Sequence, residues 1–174
     1  CNSKLEKKET EANYFCPNPN CDARNIEGLI HFSSRETMNI EGFGESIVED
    51  FYNEGYLKTI CDYYTLYKHK EDLKELEGFG EKSINNLLQN IEKSKKNSLE
   101  KLLFALGIRY IGKKTAKILA INYRNIDKLM SAEYEDLVKI QDIGEVIADS
   151  VYKFFKEEKN ILVIEKLKKA LWLH

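Results

Sequence analysis

The residues with the clearest capacity for chemistry are three cysteines near the start of the chain. Cys1, Cys16 and Cys21 fall within the first 21 of 174 residues, and the last two enclose a Pro-Asn-Pro-Asn turn at residues 17–20. Thiolates around a tight turn are typical zinc ligands, because zinc favours tetrahedral sulfur coordination and stabilises modules too small for a core. The spacing therefore predicts a zinc site that is one ligand short of a closed one.

Two further residues are candidates for the fourth ligand. Cys61 lies in an apolar stripe with helical spacing, so a buried structural thiol is the favoured interpretation. His31 follows the cysteine module and is the second candidate. His69 lies among charged residues and is expected at the surface. The residues alone leave the fourth ligand open.

Four glycines mark an internal repeat. Gly44, Gly80, Gly112 and Gly144 are separated by 36, 32 and 32 residues. In each copy an aliphatic residue stands four positions earlier, an apolar residue stands directly before the glycine, and apolar residues follow four and seven positions later. That spacing predicts a helix beginning just after each glycine. The repeating unit is therefore a helix end, a tight turn and a second helix.

The turn of this unit is suited to holding a phosphate. A glycine there can adopt a positive backbone angle and lacks a Cβ, and the N–H groups that follow form the positive end of a helix. Lysines and hydroxyl side chains directly after the glycine in the second and third copies would add donors, whereas the first and fourth copies lack such lysines and should bind more weakly. The predicted phosphate-contacting residues are Gly42, Gly44, Gly78, Gly80, Lys82, Ser83, Gly112, Lys113, Lys114, Thr115 and Gly144.

The elements that must position these residues fall into two parts. Residues 1–30 hold both prolines and three of the four cysteines, which predicts a loop-rich module with a short strand at residues 11–16. Residues 31–174 contain no proline and place apolar residues at helical spacing, which predicts a mainly α domain. Its turns and second helices are expected near residues 40–52, 76–88, 108–120 and 140–152.

The charge of the chain is unevenly distributed. Lys and Arg number 27 against 29 Asp and Glu, for a net charge of −2, which argues against a protein that coats nucleic acid with its whole surface. Residues 81–124 nevertheless carry a net +7 and the remainder −9. An anion-binding face should therefore be local.

Composition excludes several classes of protein. A hydrophobic content of 43% and a charged content of 32% are typical of a globular protein rather than a disordered or fibrous one. No apolar run approaches the roughly 18 residues of a membrane helix, and the first residues lack the apolar region of a secretory signal. A cytoplasmic location is expected. Because the first residue is cysteine rather than methionine, the chain is expected to be a fragment.

Two alternatives to phosphate binding stay open on the residues alone. Each glycine could merely permit a tight turn between helices, although four turns in register, two of them with lysines behind, weaken that interpretation. A period of 32 to 36 residues is also typical of helical-repeat scaffolds that bind proteins. The tetratricopeptide signature and the Thr-Pro-Leu-His signature of ankyrin repeats are absent, which disfavours the scaffold.

Longer strings of residues carry a closer resemblance. The repeat resembles the helix-hairpin-helix motif. Residues 31–35 (His-Phe-Ser-Ser-Arg), 38–44 (Met-Asn-Ile-Glu-Gly-Phe-Gly) and 105–112 (Ala-Leu-Gly-Ile-Arg-Tyr-Ile-Gly) resemble bacterial NAD-dependent DNA ligases, and the resemblance covers essentially the whole chain. It implies a four-cysteine zinc finger, then four helix-hairpin-helix motifs that contact the minor-groove side of nicked duplex DNA through its phosphates, without base specificity.

The resemblance also implies what this part of a ligase lacks. Cys1 aligns with the second cysteine of the family's Cys-x-x-Cys pair, so the first ligand would precede the chain. The family's nucleotidyl transfer uses a Lys-x-Asp-Gly motif, which is absent here, so the chain is expected to be non-catalytic. NAD and magnesium are expected only in missing catalytic domains of the same protein. The alternatives to a ligase part serving replication and repair are a protein-binding scaffold and the hairpins of another repair enzyme.

Overall fold

A computed structural model describes residues 1–9 and 13–171, and the body of this part of the chain is helical. The helices are α1 (Asp22–Ser33), α2 (Glu45–Asn53), a 3-10 helix (Ile60–His69), α3 (Lys70–Lys74), α4 (Glu81–Ser94), α5 (Leu99–Ala105), α6 (Lys113–Tyr123), α7 (Ile126–Met130), α8 (Tyr134–Val138), α9 (Glu145–Lys156) and α10 (Glu158–Ala170). Within the described ranges there is no strand, and the mainly α fold predicted from the sequence is confirmed.

One pair of backbone hydrogen bonds joins two stretches of the cysteine-bearing start of the chain. Glu6 and Phe15 donate to each other's carbonyl at 2.8 and 2.7 Å, which makes an isolated antiparallel bridge. Part of the strand predicted at residues 11–16 lies outside the described residues, and Phe15 belongs to this bridge only. Helix α1 begins directly after Cys21, so it crosses the predicted division between residues 30 and 31.

The four repeats fold as four turns, each followed by a helix. The second helices α2, α4, α6 and α9 begin at the residue after Gly44, Gly80, Gly112 and Gly144, as the spacing predicted. The apolar residue four positions after each glycine is buried in every copy, because that position faces inward once the helix begins at the glycine. These residues are Val48, Ile84, Ala116 and Ala148.

The apolar side chains form two cores, and each core serves two turns. The first core includes Leu29, Phe32, Phe43, Val48, Phe51, Ile84 and Leu87, and the second includes Leu103, Ile111, Ala116, Leu119, Ile143, Ala148 and Val151. Helices α5 and α10 contribute to both cores: Leu102 and Leu167 lie in the first, whereas Leu103 and Ile164 lie in the second. The two halves are therefore packed into one body.

Within each half, a side chain of the second repeat holds the turn of the first. The Asn90 amide on α4 donates to the Glu41 carbonyl at 2.9 Å, and the Ser150 hydroxyl on α9 donates to the Arg109 carbonyl at 2.6 Å. Glu41 and Arg109 occupy the same position, three residues before Gly44 and Gly112. The two acceptor carbonyls therefore occupy equivalent positions, although the donors Asn90 and Ser150 do not.

None of the helices in the described part of the chain is both long enough and apolar enough to cross a membrane.

Candidate nucleic-acid interface and metal site

The four turns share one backbone geometry. In each, the residue before the N-terminal glycine donates its N–H to the carbonyl three residues earlier, and the glycine carbonyl accepts the first hydrogen bond of the helix. The turn bonds are Phe43 to Ile40 (3.3 Å) and Phe79 to Leu76, Ile111 to Ile108 and Ile143 to Ile140 (3.0 Å each). The helix bonds reach Gly44 (3.0 Å), Gly80 (3.1 Å), Gly112 (3.0 Å) and Gly144 (2.9 Å). Four equivalent helix starts result.

The positive backbone angle predicted at the glycine before each helix is wrong. The φ angles of Gly44, Gly80, Gly112 and Gly144 are −76°, −151°, −95° and −82°, because a residue that caps a helix N-terminus adopts extended backbone. Positive φ occurs two residues earlier, at the third of the four turn residues, which is where a type II β-turn requires it. The residues there are Gly42 (92°), Gly78 (85°), Tyr110 (68°) and Asp142 (70°).

The capping glycines have open space where a side chain would be. A Cβ built on Gly44, Gly80, Gly112 or Gly144 would meet no heavy atom of residues 1–9 and 13–171 within 4 Å. Serine, aspartate and asparagine cap helices at least as well as glycine does. Neither the backbone conformation nor packing against these described residues therefore requires glycine at the four positions.

The third turn carries the predicted lysines at its surface. Lys113 and Lys114 are exposed and Thr115 is half-buried at the start of α6. The Lys113 Nζ lies 2.8 Å from Glu36 Oε2, and both side chains are 60% exposed. This ion pair lowers the pKa of the Glu36 carboxyl, chiefly through the hydrogen bond from Lys113. The third turn thus presents two lysines beside its helix start.

The second turn differs from the third in how its side chains are used. The Ser83 hydroxyl accepts from the Gly80 N–H at 2.9 Å and donates to the Gly80 carbonyl at 3.1 Å, so it completes the turn. Lys82 is exposed. Glu81, directly after the glycine, lies 3.6 Å from Lys74. The phosphate-contacting role predicted for Ser83 would require its hydroxyl to leave these partners.

The first and fourth turns present carboxylates rather than lysines. Exposed Glu45 and Glu145 begin α2 and α9, and exposed Glu41 and Asp142 lie in the preceding turns. Acidic groups near a helix N-terminus stabilise the helix but repel a phosphate. The order predicted from the sequence, with these two turns the weaker, agrees with the charges at their surfaces.

The three N-terminal cysteines meet in space. The Sγ atoms of Cys1, Cys16 and Cys21 all lie within 4.8 Å of one another, and those of Cys1 and Cys16 are 3.5 Å apart. Tetrahedral zinc with Zn–S bonds of about 2.3 Å places its sulfurs about 3.8 Å apart. The Arg24 N–H at the start of α1 is the main cause of a lowered pKa for the Cys21 thiol. The donor set and its spacing fit zinc.

The other candidates for a fourth ligand lie elsewhere. The Nε2 atom of His31 is 2.7 Å from the Phe104 carbonyl, so the candidate role of His31 at the metal is wrong. The Cys61 thiol donates to the Val163 carbonyl at 3.6 Å, and burial raises its pKa, as expected for a structural thiol. His69 is half-buried with its ring 5.1 Å from that of Tyr56, rather than exposed as predicted.

A charged cleft beside the third turn was not predicted from the sequence. Arg35, Glu36 and Lys101 line it together with Lys113. These residues are separated by up to 78 positions in the chain, so no local spacing links them. The packing of α5 against both α1 and α6 brings them together.

Two protein-family models match the chain. Residues 1–23 match the NAD-dependent DNA ligase C4 zinc finger domain, and residues 101–164 match the helix-hairpin-helix motif. The second match covers the third and fourth turns with their helices.

Several curated proteins are similar along nearly the whole chain. A DNA ligase of Acholeplasma laidlawii (strain PG-8A) is 48% identical over 168 residues, 97% of this chain and 26% of the relative. A DNA ligase of Natranaerobius thermophilus is 49% identical over 170 residues, 98% of this chain and 25% of the relative. One of Listeria monocytogenes serotype 4a is 48% identical with the same coverage.

The chain spans about a quarter of the length of these relatives. Both family models fall in the regions where the structure places the cysteine cluster and the paired turns. Over nearly its whole length, the chain is therefore similar by sequence to a part of these DNA ligases, and it carries matches to the NAD-dependent DNA ligase C4 zinc finger domain and to the helix-hairpin-helix motif.

Proposed function

We propose that this chain binds the sugar–phosphate backbone of duplex DNA, including nicked duplex, without base specificity. The observation that carries the proposal is the set of four capping glycines, whose missing side chains nothing in the described part of the chain explains. A phosphate backbone approaching the helix start from outside would explain them, because a side chain there would hold it away.

The surroundings of the turns favour phosphate as the ligand. The first N–H groups of each second helix have no carbonyl partner within that helix, and they form the positive end of its dipole. Residues 81–124, which include the second and third turns, carry a net +7. Backbone N–H groups and lysines contact phosphates without reading bases. The expected binding is therefore independent of sequence and sensitive to salt.

The family similarity gives this binding a context. We propose that the chain is the DNA-holding part of an NAD-dependent DNA ligase that acts in the cytoplasm in replication and repair. The Lys-x-Asp-Gly motif is absent from the sequence, so we assign no catalytic step to these residues. Chemistry that needs NAD and magnesium would belong to other domains of the same protein, which this chain would present with duplex DNA.

We further propose that Cys1, Cys16 and Cys21 hold a zinc ion. Zinc would supply a fixed tetrahedral centre in a segment whose described residues include one isolated β-bridge. Within the chain, Cys21 connects this centre to the start of α1, so a bound ion would fix the module against the helical body.

A binding titration tests the proposed function. Fluorescence anisotropy with labelled nicked duplex, intact duplex of the same sequence and intact duplex of unrelated sequence, each over about 50 to 300 mM salt, separates the hypotheses. Equal affinity for the two intact sequences and a steep fall with salt are expected. No binding to any duplex at the lowest salt would contradict the proposal and favour a protein-binding helical scaffold.

A further inference from the structure

A small charged cleft lies between the two halves of the helical body. Its volume is about 210 Å³, and it is lined by Arg35, Glu36, Glu100, Lys101, Phe104 and Lys113. The cations come from three separate segments: the loop after α1, helix α5 and the first residue of α6. A hydrogen bond of 2.7 Å between His31 Nε2 and the Phe104 carbonyl joins α1 to α5 at this place. The convergence is therefore a property of the packed fold.

The backbone that carries Glu36 is fixed. The adjacent Thr37 is fully buried, and its hydroxyl donates to the Phe32 carbonyl at 2.8 Å. The N–H groups of Thr37 and Asn39 both donate to the Ser34 carbonyl, at 3.1 and 2.9 Å. The loop from Ser34 to Asn39 is thus closed on itself and anchored to the end of α1. Glu36 is held at the rim of the cleft rather than carried on a free segment.

Glu36 faces the lysine that begins the helix of the third turn. Its Oε2 lies 2.8 Å from Lys113 Nζ, and the hydrogen bond from Lys113 lowers the pKa of the carboxyl. Both side chains are 60% exposed, so water and salt screen the pair. A screened pair of this kind is displaced readily by an anion of higher charge that other cations also attract.

We propose that Glu36 competes with DNA phosphate for Lys113. In the free protein the Glu36 carboxylate neutralises Lys113, and a backbone phosphate that enters the cleft replaces it, with Arg35 and Lys101, which also line the cleft, as further contacts. This inference rests on the proposed function, since it assumes that Lys113 contacts DNA. Glu36 therefore lowers the affinity for DNA, whereas the surrounding cations raise it.

The cleft also extends the expected DNA contact beyond the four turns. Arg35 follows α1 in the first half, whereas Lys113 begins the third turn in the second half. A phosphate held between them would contact both halves of the body at once. The competition by Glu36 would then weaken binding to isolated anions more than binding to a continuous backbone, which supplies several contacts together.

The test compares Glu36→Gln with the unaltered chain in the same salt titration on nicked duplex. The variant should bind several-fold more tightly at low salt, because Lys113 no longer gives up a carboxylate partner when phosphate binds, whereas the log–log slope should stay nearly unchanged because the number of phosphate contacts is the same. Glu27→Gln, an equal charge change at an exposed position of α1 outside the cleft, should change the affinity much less. In a Lys113→Gln background, Glu36→Gln should lose most of its effect.

The outcomes separate the two proposals. If the unaltered chain binds duplex and Lys113→Gln weakens it, but Glu36→Gln has no effect or weakens binding, the competition is overturned while the proposed function stands. If Glu27→Gln tightens binding as much as Glu36→Gln does, the effect is general charge and the competition is likewise overturned. If the unaltered chain binds no duplex, the proposed function itself fails. Thermal unfolding of each variant confirms that the fold is retained.

Discussion

At the residue scale, two positions in each turn have opposite requirements. The third turn position has positive φ in all four copies, yet it is occupied by Tyr110 and Asp142 in two of them. The capping position has ordinary extended backbone and open space, yet it is glycine in every copy. The third turn position, where positive φ favours glycine, therefore holds another residue in two copies. The capping position, where the backbone does not require glycine, is glycine in all four.

This contrast predicts that Gly112→Ser separates stability from DNA binding. Serine caps helices at least as well as glycine, and its Cβ would meet no heavy atom of the described residues within 4 Å, so the free energy of unfolding should stay within about 0.5 kcal/mol of the parent. The side chain projects to where the phosphate is proposed to lie, so DNA affinity should fall several-fold. Urea unfolding and anisotropy measure the two quantities.

The control is Gly28→Ser in α1. This glycine is also exposed with open space around it, but it lies within a helix and not in a turn. DNA affinity should be unchanged. An unchanged affinity in Gly112→Ser as well would show that the capping glycines do not mark the DNA-contacting surface.

Replacing a glycine that has positive φ should lower the free energy of unfolding, for a structural reason separate from DNA binding. Gly78→Ala places a Cβ in open space at φ 85°, and left-handed backbone costs alanine about 1–2 kcal/mol. Gly42→Ala has the same conformational cost at φ 92°, and its Cβ would also lie 2.5 Å from the buried Leu87 Cδ2. Gly42→Ala should therefore lower the free energy of unfolding further, as measured by urea denaturation. An equal loss of unfolding free energy in the two variants would mean that the Leu87 side chain moves aside without an energetic cost.

At the element scale, the sequence was sufficient to locate the turns and their second helices. The register of apolar residues around each glycine identified the first residue of α2, α4, α6 and α9, because the burial pattern of a helix starts at its cap, but it did not identify where these helices end. It could not predict the 3-10 helix at Ile60–His69, where Asp62 Oδ2 accepts from the Lys58 and Thr59 N–H groups at 2.8 and 2.9 Å. The backbone angles of the turn were also assigned to the wrong residue, since spacing does not distinguish two glycines that lie two positions apart.

The N-terminal module, which holds Cys1, Cys16 and Cys21, should bind a metal ion. The purified chain should bind about one equivalent of zinc, and cobalt in its place should show thiolate charge-transfer absorption. Cys16→Ser should remove that absorption, because Cys16 lies with Cys1 and Cys21. Cys61→Ser is the matched control and should retain it, because its thiol contacts the Val163 carbonyl.

Removal of the metal should leave the helical body folded. Neither core contains Cys1 or Cys16, so a chelator should change far-ultraviolet circular dichroism little. A loss of cobalt absorption in Cys61→Ser equal to that in Cys16→Ser would contradict the assignment of the ligands.

At the scale of the whole molecule, charge and fold combine to give a local binding surface. The sequence indicated a basic central segment, and the structure places its third turn beside a cleft that neither spacing nor composition could reveal. The pairing of turns within two cores was also hidden, since contacts between α1 and α5, or between Asn90 and the Glu41 carbonyl, join residues far apart in the chain. Long-range packing is the part of the fold that is hardest to predict from a single sequence.

The central claim is that the third turn contacts DNA phosphates through its lysines. The measurement is the salt dependence of nicked-duplex affinity for Lys113→Gln/Lys114→Gln, compared with Lys166→Gln/Lys169→Gln on α10, which removes the same charge at exposed positions away from the turns. We expect the log–log slope to become shallower by about 1.8 in the first variant and to stay nearly unchanged in the second. An equal change of slope in both variants, or no change in the first, would contradict the proposed contacts between the third turn and DNA phosphates.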